Sequence, residues 1–129
     1  MRLLVDAHCL IWAVDDPAKL TRAASVALGD AANELLIGAG TMWELSIKTG
    51  LGKLALSSPF RQWMEQAIAD LDLTVTPISL EHCHVQASLP FHHRDPFDRL
   101  LAAQSLTEGV QVVSADAIFD QYGVGRIWA

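Results

Sequence analysis

Four acidic side chains stand where metal-assisted chemistry is possible. Asp6 and Asp116 each come directly after an apolar run that is typical of a buried strand. Asp98 lies near the start of a helical pattern, and Glu44 lies in the stretch "TMWELSIK". Carboxylates that converge without cations repel one another, whereas Mg²⁺ or Mn²⁺ binds such oxygen ligands readily. If the four acids meet, they predict a divalent-metal site.

Each of these acids also has an ordinary structural role. Asp6 and Asp116 could each cap the helix that follows, a contribution of about 1 kcal/mol. With Pro96 at the first helical position, Asp95 falls at the N-cap, and Asp98 falls in the first turn, where it favours the helix dipole. Glu44 could pair with a lysine four residues later. These roles explain the acids one by one, but they predict no common location.

The elements that must position these residues follow from the hydrophobic pattern. Strands alternate with helices, which predicts an α/β fold, a three-layer α/β/α sandwich with a mainly parallel sheet. The carboxyl ends of parallel strands share one edge, and ligands bind there, so we expect the four acids at that edge. The predicted strands are Arg2–Val5, Asn33–Ala39, Leu73–Ile78, Val110–Asp116 and Val124–Ala129. The predicted helices are 7–14, 22–31 after Thr21, 41–48, 59–71, 80–88 after Ser79, and 96–108 before Gly109.

Length and composition bound the possible functions. A chain of 129 residues that is 51% hydrophobic predicts a single domain, residues 1–129, with a sizeable core. A net charge of −6 argues against a broad basic nucleic-acid-binding face, unless bound cations supply the positive charge. The apolar runs are too short to span a bilayer, so we expect no membrane partner and a cytoplasmic protein. Cys9 and Cys83 are expected to be buried apolar side chains.

Four stretches together resemble the motifs of PIN-domain proteins, in the branch of the VapC-like toxins. The resemblance runs in order along nearly the whole chain, and it is the combination at these spacings that is specific. The stretches are "LLVDAHCLIWAV", "TMWELSIKTGLGKL", "HHRDPFDRLLAAQSL" and "VVSADAIFDQYGV".

The resemblance implies a metal-dependent ribonuclease that cuts RNA at an acidic pocket, with Mg²⁺, or Mn²⁺ in its place, as cofactor. The hydroxyl residue that precedes the last family acid corresponds to Ser114, which we expect to contact substrate, and Ala7 stands where many relatives carry a hydroxyl. The resemblance further implies a small antitoxin as partner and a homodimer. The family acids, as catalytic and metal-binding residues, correspond to Asp6, Glu44, Asp98 and Asp116.

Basic and aromatic side chains near these motifs have two interpretations each. Four cations could contact RNA phosphates or could be solvated surface charges, and Lys48 could instead hold Glu44, which either binds metal or orients the attacking water. His92 and His93 border the predicted pocket and could contact RNA or serve only the loop. Histidine spacing argues against zinc, and three helical tryptophans are expected in the core. The cations are Lys48, Lys53, Arg94 and Arg99, and the tryptophans are Trp12, Trp43 and Trp63.

Two other classes of function compete with a nuclease. A receiver-like or phosphatase-like domain also uses carboxylates at strand ends, but a phosphatase usually has a second aspartate where this chain has His8. A receiver would want an acidic pair at the first strand end and a late lysine, and neither is found at those positions. A non-catalytic interaction module of the same fold is the second alternative, although all four acids are present.

Overall fold

A five-stranded parallel sheet organises the chain, and the computed structural model describes it over residues 1–129. The strand order is β3-β2-β1-β4-β5, so β1 lies at the centre and pairs with both β2 and β4. The strands are β1 (Arg2–Val5), β2 (Glu34–Gly38), β3 (Thr74–Thr76), β4 (Gln111–Val113) and β5 (Arg126–Ile127). The helices are α1 (Ala7–Asp15), α2 (Arg22–Gly29), α3 (Ala39–Gly50), α4 (Phe60–Asp70), α5 (Leu80–Ser88), α6 (Pro96–Glu108) and α7 (Ile118–Gln121).

Successive side chains of the central strands point to opposite faces of the sheet, and each face carries its own core. Leu3 and Val5 belong to the larger cluster, which also contains Trp63 from α4. Leu4 belongs to the smaller cluster, with Leu101 from α6. Because both faces are covered by helices, the strands are apolar almost throughout, as a parallel sheet requires. The predicted three-layer α/β/α sandwich is confirmed.

Local signals in the sequence account for most helix ends. Thr21 and Ser79 accept hydrogen bonds from the backbone as N-caps of α2 and α5. Gly109 ends α6 with a φ of 66°, in the left-handed region that glycine adopts without strain.

Several features of the chain differ from the predictions, and β3 and β5 are both shorter than predicted. β4 ends at Val113, three residues earlier than predicted, because the Ser114 hydroxyl accepts from the amide of Asp116 and turns the chain. The short helix α7 follows that turn and was not predicted. Cys83 and Trp43 are exposed rather than buried, since their positions on α5 and α3 turn away from the two cores.

None of the helices in the structure is both long enough and apolar enough to cross a membrane.

Candidate active site

Asp6 leaves the end of β1 and is almost completely buried, with 6% of its surface exposed. One carboxylate oxygen accepts from the amide of Cys9 at 2.8 Å and so caps α1. The other accepts from the hydroxyl of Ser114, which follows the neighbouring strand β4. Asp6 therefore has the structural role of a cap and also lies at the carboxyl edge of the sheet.

Ser114 connects Asp6 to the last acid of the chain. Its hydroxyl donates to Asp6 and accepts from the backbone amide of Asp116 at 3.0 Å. The side chain is completely buried, so the assignment of Ser114 to substrate contact is corrected. It links two acids from inside the protein, while Asp116 is exposed and accepts from the amide of Ile118 at 3.0 Å.

Asp98, in the first turn of α6, meets Asp116 and a histidine. The Nε2 atom of His93 lies 2.9 Å from Oδ2 of Asp98. One ligand atom from each of His93, Asp98 and Asp116 lies within 4.8 Å of the other two, a spacing that could hold a metal ion. Two of the four predicted acids thus converge directly, and the third member of this set is a histidine.

The surroundings of Asp98 disfavour its charged form. Burial raises its pKa to about 6, and the nearby carboxylates of Asp95 and Glu44 add to the increase. The contact with His93 acts in the opposite direction but does not cancel the effect of burial. A cation bound at this place would stabilise the charged form of a carboxylate that is surrounded by other acids.

Glu44 is buried on α3, with 5% of its surface exposed, and is held by a lysine of the same helix. The ammonium of Lys48 lies 2.7 Å from Oε2 of Glu44, and this hydrogen bond raises the lysine pKa. Lys48 thus holds Glu44 in place, one of the two roles considered for it. Glu44 is not within the set of three converging ligands, but its charge acts on Asp98.

Asp95 lies at the N-cap of α6, one turn before Asp98. Its Oδ1 accepts from the amide of Phe97 at 2.8 Å and from the amide of Asp98 at 3.3 Å. With Pro96 at the first helical position, the first turn of α6 has the arrangement that the sequence predicts. The cap fixes the backbone from which the Asp98 side chain projects.

Arg99 is buried, contrary to both interpretations from sequence, phosphate contact and solvated surface charge. The residue is 5% exposed, and its guanidinium donates to the carbonyls of Gln86, Leu89 and Pro90 and to the hydroxyl of Tyr122. Four of its five N–H donors are engaged within the protein, so this buried cation has a structural role. Arg94 and Lys53 are exposed, so for both of them phosphate contact stays a prediction.

His93 lies closer to the acids than the sequence pattern predicts. Two adjacent histidines before "RDPFD" gave no metal-ligand spacing, and neither was distinguished from the other. Their position in the loop before α6, the helix that carries Asp98, could have indicated a role at the site. His93 contacts Asp98 because its backbone amide donates to the hydroxyl of Tyr122 at 3.0 Å, which fixes the loop.

The largest groove of the molecule lies elsewhere. It has a volume of about 550 Å³ and is lined by residues that include Glu34 and Thr74, the first residues of β2 and β3. It therefore opens at the amino edge of the sheet, opposite the converging acids. In parallel α/β sheets the carboxyl edge binds ligands, so the acidic site is the better candidate.

The donor set fits a hard divalent cation. Two carboxylates, with two more acids beside them, offer the oxygen ligands that Mg²⁺ and Mn²⁺ accept. His93 adds an imidazole nitrogen, which Mn²⁺, as a first-row transition ion, can accept beside its preferred oxygen ligands. Zinc does not gain support from the other histidines, because His82 is a buried part of a capping box and contacts Glu108 at 2.8 Å.

Comparison with known proteins points to one family. Ribonuclease VapC22 of Mycobacterium tuberculosis is 28% identical over 116 residues, which are 88% of this chain and 86% of that protein. The structure of VapBC2 from Rickettsia felis, bound to a DNA fragment from its promoter, superposes with a TM-score of 0.71 at 15% identity, over 98% of this chain and 97% of that one. FitAcB from Neisseria gonorrhoeae gives a TM-score of 0.67 at 17% identity, over 96% and 95%.

The similarities between structures establish the fold alone, because their sequence identities are low. The sequence itself supplies the stronger observation, since the PIN-domain family matches residues 3–125. That range contains the central strands, the N-capped helix α6 and all of the acids that the sheet brings to its carboxyl edge. On this evidence the chain belongs to the PIN-domain family.

Proposed function

We propose that the protein is a divalent-metal-dependent endoribonuclease and the toxin of a toxin–antitoxin pair. The observation that carries the proposal is the convergence of Asp98, Asp116 and His93 at the carboxyl edge of the sheet, with Asp6 joined to Asp116 through Ser114. The similarity to Ribonuclease VapC22 supports RNA as the substrate.

Asp98 and Asp116 would hold the ion, with Asp6 and Glu44 beside them. A bound Mg²⁺ or Mn²⁺ supplies positive charge toward the phosphodiester and makes a bound water more acidic. The chain's own residues set the geometry, because Ser114 fixes Asp6 against the turn that carries Asp116. Glu44, held by Lys48, is placed to orient a water or to join the ligands.

The geometry of Asp6 disfavours the phosphoryl-handling alternative. A receiver or phosphatase needs a free aspartate oxygen as nucleophile. Both oxygens of Asp6 are engaged, one by the amide of Cys9 and one by the hydroxyl of Ser114, and the side chain is buried. This arrangement suits a fixed negative charge rather than a group that attacks phosphorus.

The proposal also includes a protein partner, an antitoxin. One chain in the structure of VapBC2 from Rickettsia felis, and one in that of VapBC-1 from nontypeable Haemophilus influenzae, has this fold over nearly its whole length. We expect a small antitoxin encoded beside this chain to bind it, and we expect the chain to form a homodimer. Co-expression with the neighbouring reading frame, followed by size-exclusion chromatography with light scattering, tests both expectations.

The decisive experiment is RNA cleavage by protein freed of any partner, in Mg²⁺, in Mn²⁺ and in chelator. Asp6→Asn and Asp98→Asn should each reduce cleavage at least about 100-fold, because each removes a negative charge from the site and preserves its shape. Asp70→Asn is the matched control, since Asp70 ends α4 at the opposite edge of the sheet.

Chelator should abolish cleavage by the wild-type protein, and circular dichroism should show that all three variants are folded. Cleavage at the wild-type rate by Asp98→Asn would remove that residue from the site. Cleavage that persists in chelator would contradict the metal dependence.

A further inference from the structure

We propose that His93 is a protein ligand of the metal ion and that it gives the site a preference for Mn²⁺ over Mg²⁺. The inference deepens the proposed function and rests on it for the existence of a metal site. It adds a nitrogen donor to a set that the sequence predicted as carboxylates alone.

The distances fit a shared ion. Nε2 of His93 lies 2.9 Å from Oδ2 of Asp98. Two donors at right angles on an octahedral ion, each about 2.1 Å from it, are about 3 Å apart. The ligand atom of Asp116 lies within 4.8 Å of both, so a small shift of this exposed side chain completes the set.

The loop that carries His93 is fixed before any ion binds. Its backbone amide donates to the Tyr122 hydroxyl at 3.0 Å, and Arg99 donates to the same oxygen at 3.3 Å. Arg99 also donates to the carbonyl of Pro90 at 2.9 Å, and its guanidinium lies 4.2 Å from the centre of the Phe91 ring. A buried arginine thus ties the loop to α6 and to the residue after α7, which leaves the imidazole little freedom.

His93 and its neighbour are held differently. The ring of His92 packs edge-on against Tyr122, with 5.1 Å between centroids, and is exposed to solvent. Only the ring of His93 reaches an acid of the site. The two adjacent histidines therefore provide a natural pair for comparison.

Chemistry gives the metal preference. Mn²⁺ prefers oxygen but, as a first-row transition ion, also binds mixed nitrogen and oxygen sites, whereas Mg²⁺ demands near-ideal octahedral oxygen ligands and gives up its waters reluctantly. With one nitrogen and two carboxylates as ligands, Mn²⁺ gains more than Mg²⁺ from the same site. Without the nitrogen ligand, the affinities of the site for the two ions would be more similar.

Metal binding to the purified, metal-free protein tests the inference without using activity. Mn²⁺ affinity is measured from the electron paramagnetic resonance signal of free Mn²⁺, and Mg²⁺ affinity from its competition with Mn²⁺. His93→Gln keeps an amide donor for Asp98 but loses the imidazole nitrogen. It should weaken Mn²⁺ binding about tenfold or more and Mg²⁺ binding less than about threefold. The matched control, His92→Gln, should bind both ions like the wild type.

Two outcomes would overturn the inference. Equal losses of affinity for both ions would show that His93 only orients Asp98. No loss of affinity for either ion would show that His93 is not a ligand. If His93→Gln does not fold, His93→Ala is measured with the same two ions and the same criterion. Binding of Mn²⁺ with the expected preference but without RNA cleavage would contradict the proposed function alone. RNA cleavage without the Mn²⁺ preference would contradict this inference alone.

Discussion

At the scale of single residues, two side chains of the same type have different roles because they contact different atoms. Asp95 and Asp98 are three positions apart on the first turn of α6. Asp95 accepts from two backbone amides, whereas Asp98 contacts His93 and has a pKa raised to about 6 by burial. A capping carboxylate can be replaced by another acceptor, but a metal-binding charge cannot.

Substitution of Asp95 should therefore separate the cap from the site. Asp95→Ala should cost about 1 kcal/mol of unfolding free energy through the lost cap, while Asp95→Ser keeps a capping oxygen and should change it little. Both variants should still cleave RNA in the presence of metal, and chemical denaturation together with the cleavage assay measures the two effects. Should Asp95→Ser lose cleavage as completely as Asp98→Asn, the division between cap and metal-binding residue would be wrong.

At the scale of elements, the site depends on how closely α3 packs against α6, because these helices carry Glu44 and Asp98. Two glycines at the start of α3 permit the close approach. A Cβ atom at Gly40 would lie 2.5 Å from a methyl carbon of Leu100, and one at Gly38 would lie 2.7 Å from the side-chain oxygen of Gln104. Both neighbours are buried on α6, with little room to move.

Gly40→Ala should push the two helices apart and cost about 1–3 kcal/mol of stability, as overpacked cores do. Gly50→Ala is the matched control at the end of the same helix, where a Cβ meets nothing within 4 Å. It should leave stability unchanged or raise it by up to about 1 kcal/mol, since alanine favours helix. Equal melting temperatures for the two variants would show that the approach of α3 to α6 is not tight.

At the scale of the whole molecule, the acidic site should reduce the stability of the metal-free protein near neutral pH. The folded pKa of Asp98, about 6, exceeds its ordinary value of 3.8. The folded state then holds a proton that the unfolded chain has already released. The stability from this group is fully present below about pH 4 and is lost as pH rises through 6.

Asp98→Asn cannot lose that proton, so its advantage over the wild type should grow between pH 4 and 7, by at most about 3 kcal/mol. Melting temperatures of metal-free wild type and variant, compared across this range, measure the difference. Saturating Mn²⁺ should reverse the order at pH 7, because the ion stabilises the wild type by mass action. A constant difference at all pH values would contradict the raised pKa.

The sequence by itself determined the parallel α/β architecture and most of the helix ends. Apolar runs, Asp95–Pro96 and Gly109 act through neighbours a few residues away, and such local physics can be read from one stretch of chain. The position of Asp6 at the end of β1 also followed from pattern, and Asp116 lies beyond the end of β4 at the same carboxyl edge.

Only the tertiary structure decided which side chains meet at that edge. Ser114 reaches Asp6 across 108 positions of sequence, and the hydroxyl of Tyr122 fixes the loop that brings His93 to Asp98. Arg99, a basic residue beside an acid, was expected at the surface, and packing of α5 and α6 buried it instead. The physical reason is that burial and long-range hydrogen bonds depend on how distant elements pack, a property that no local pattern of residues contains.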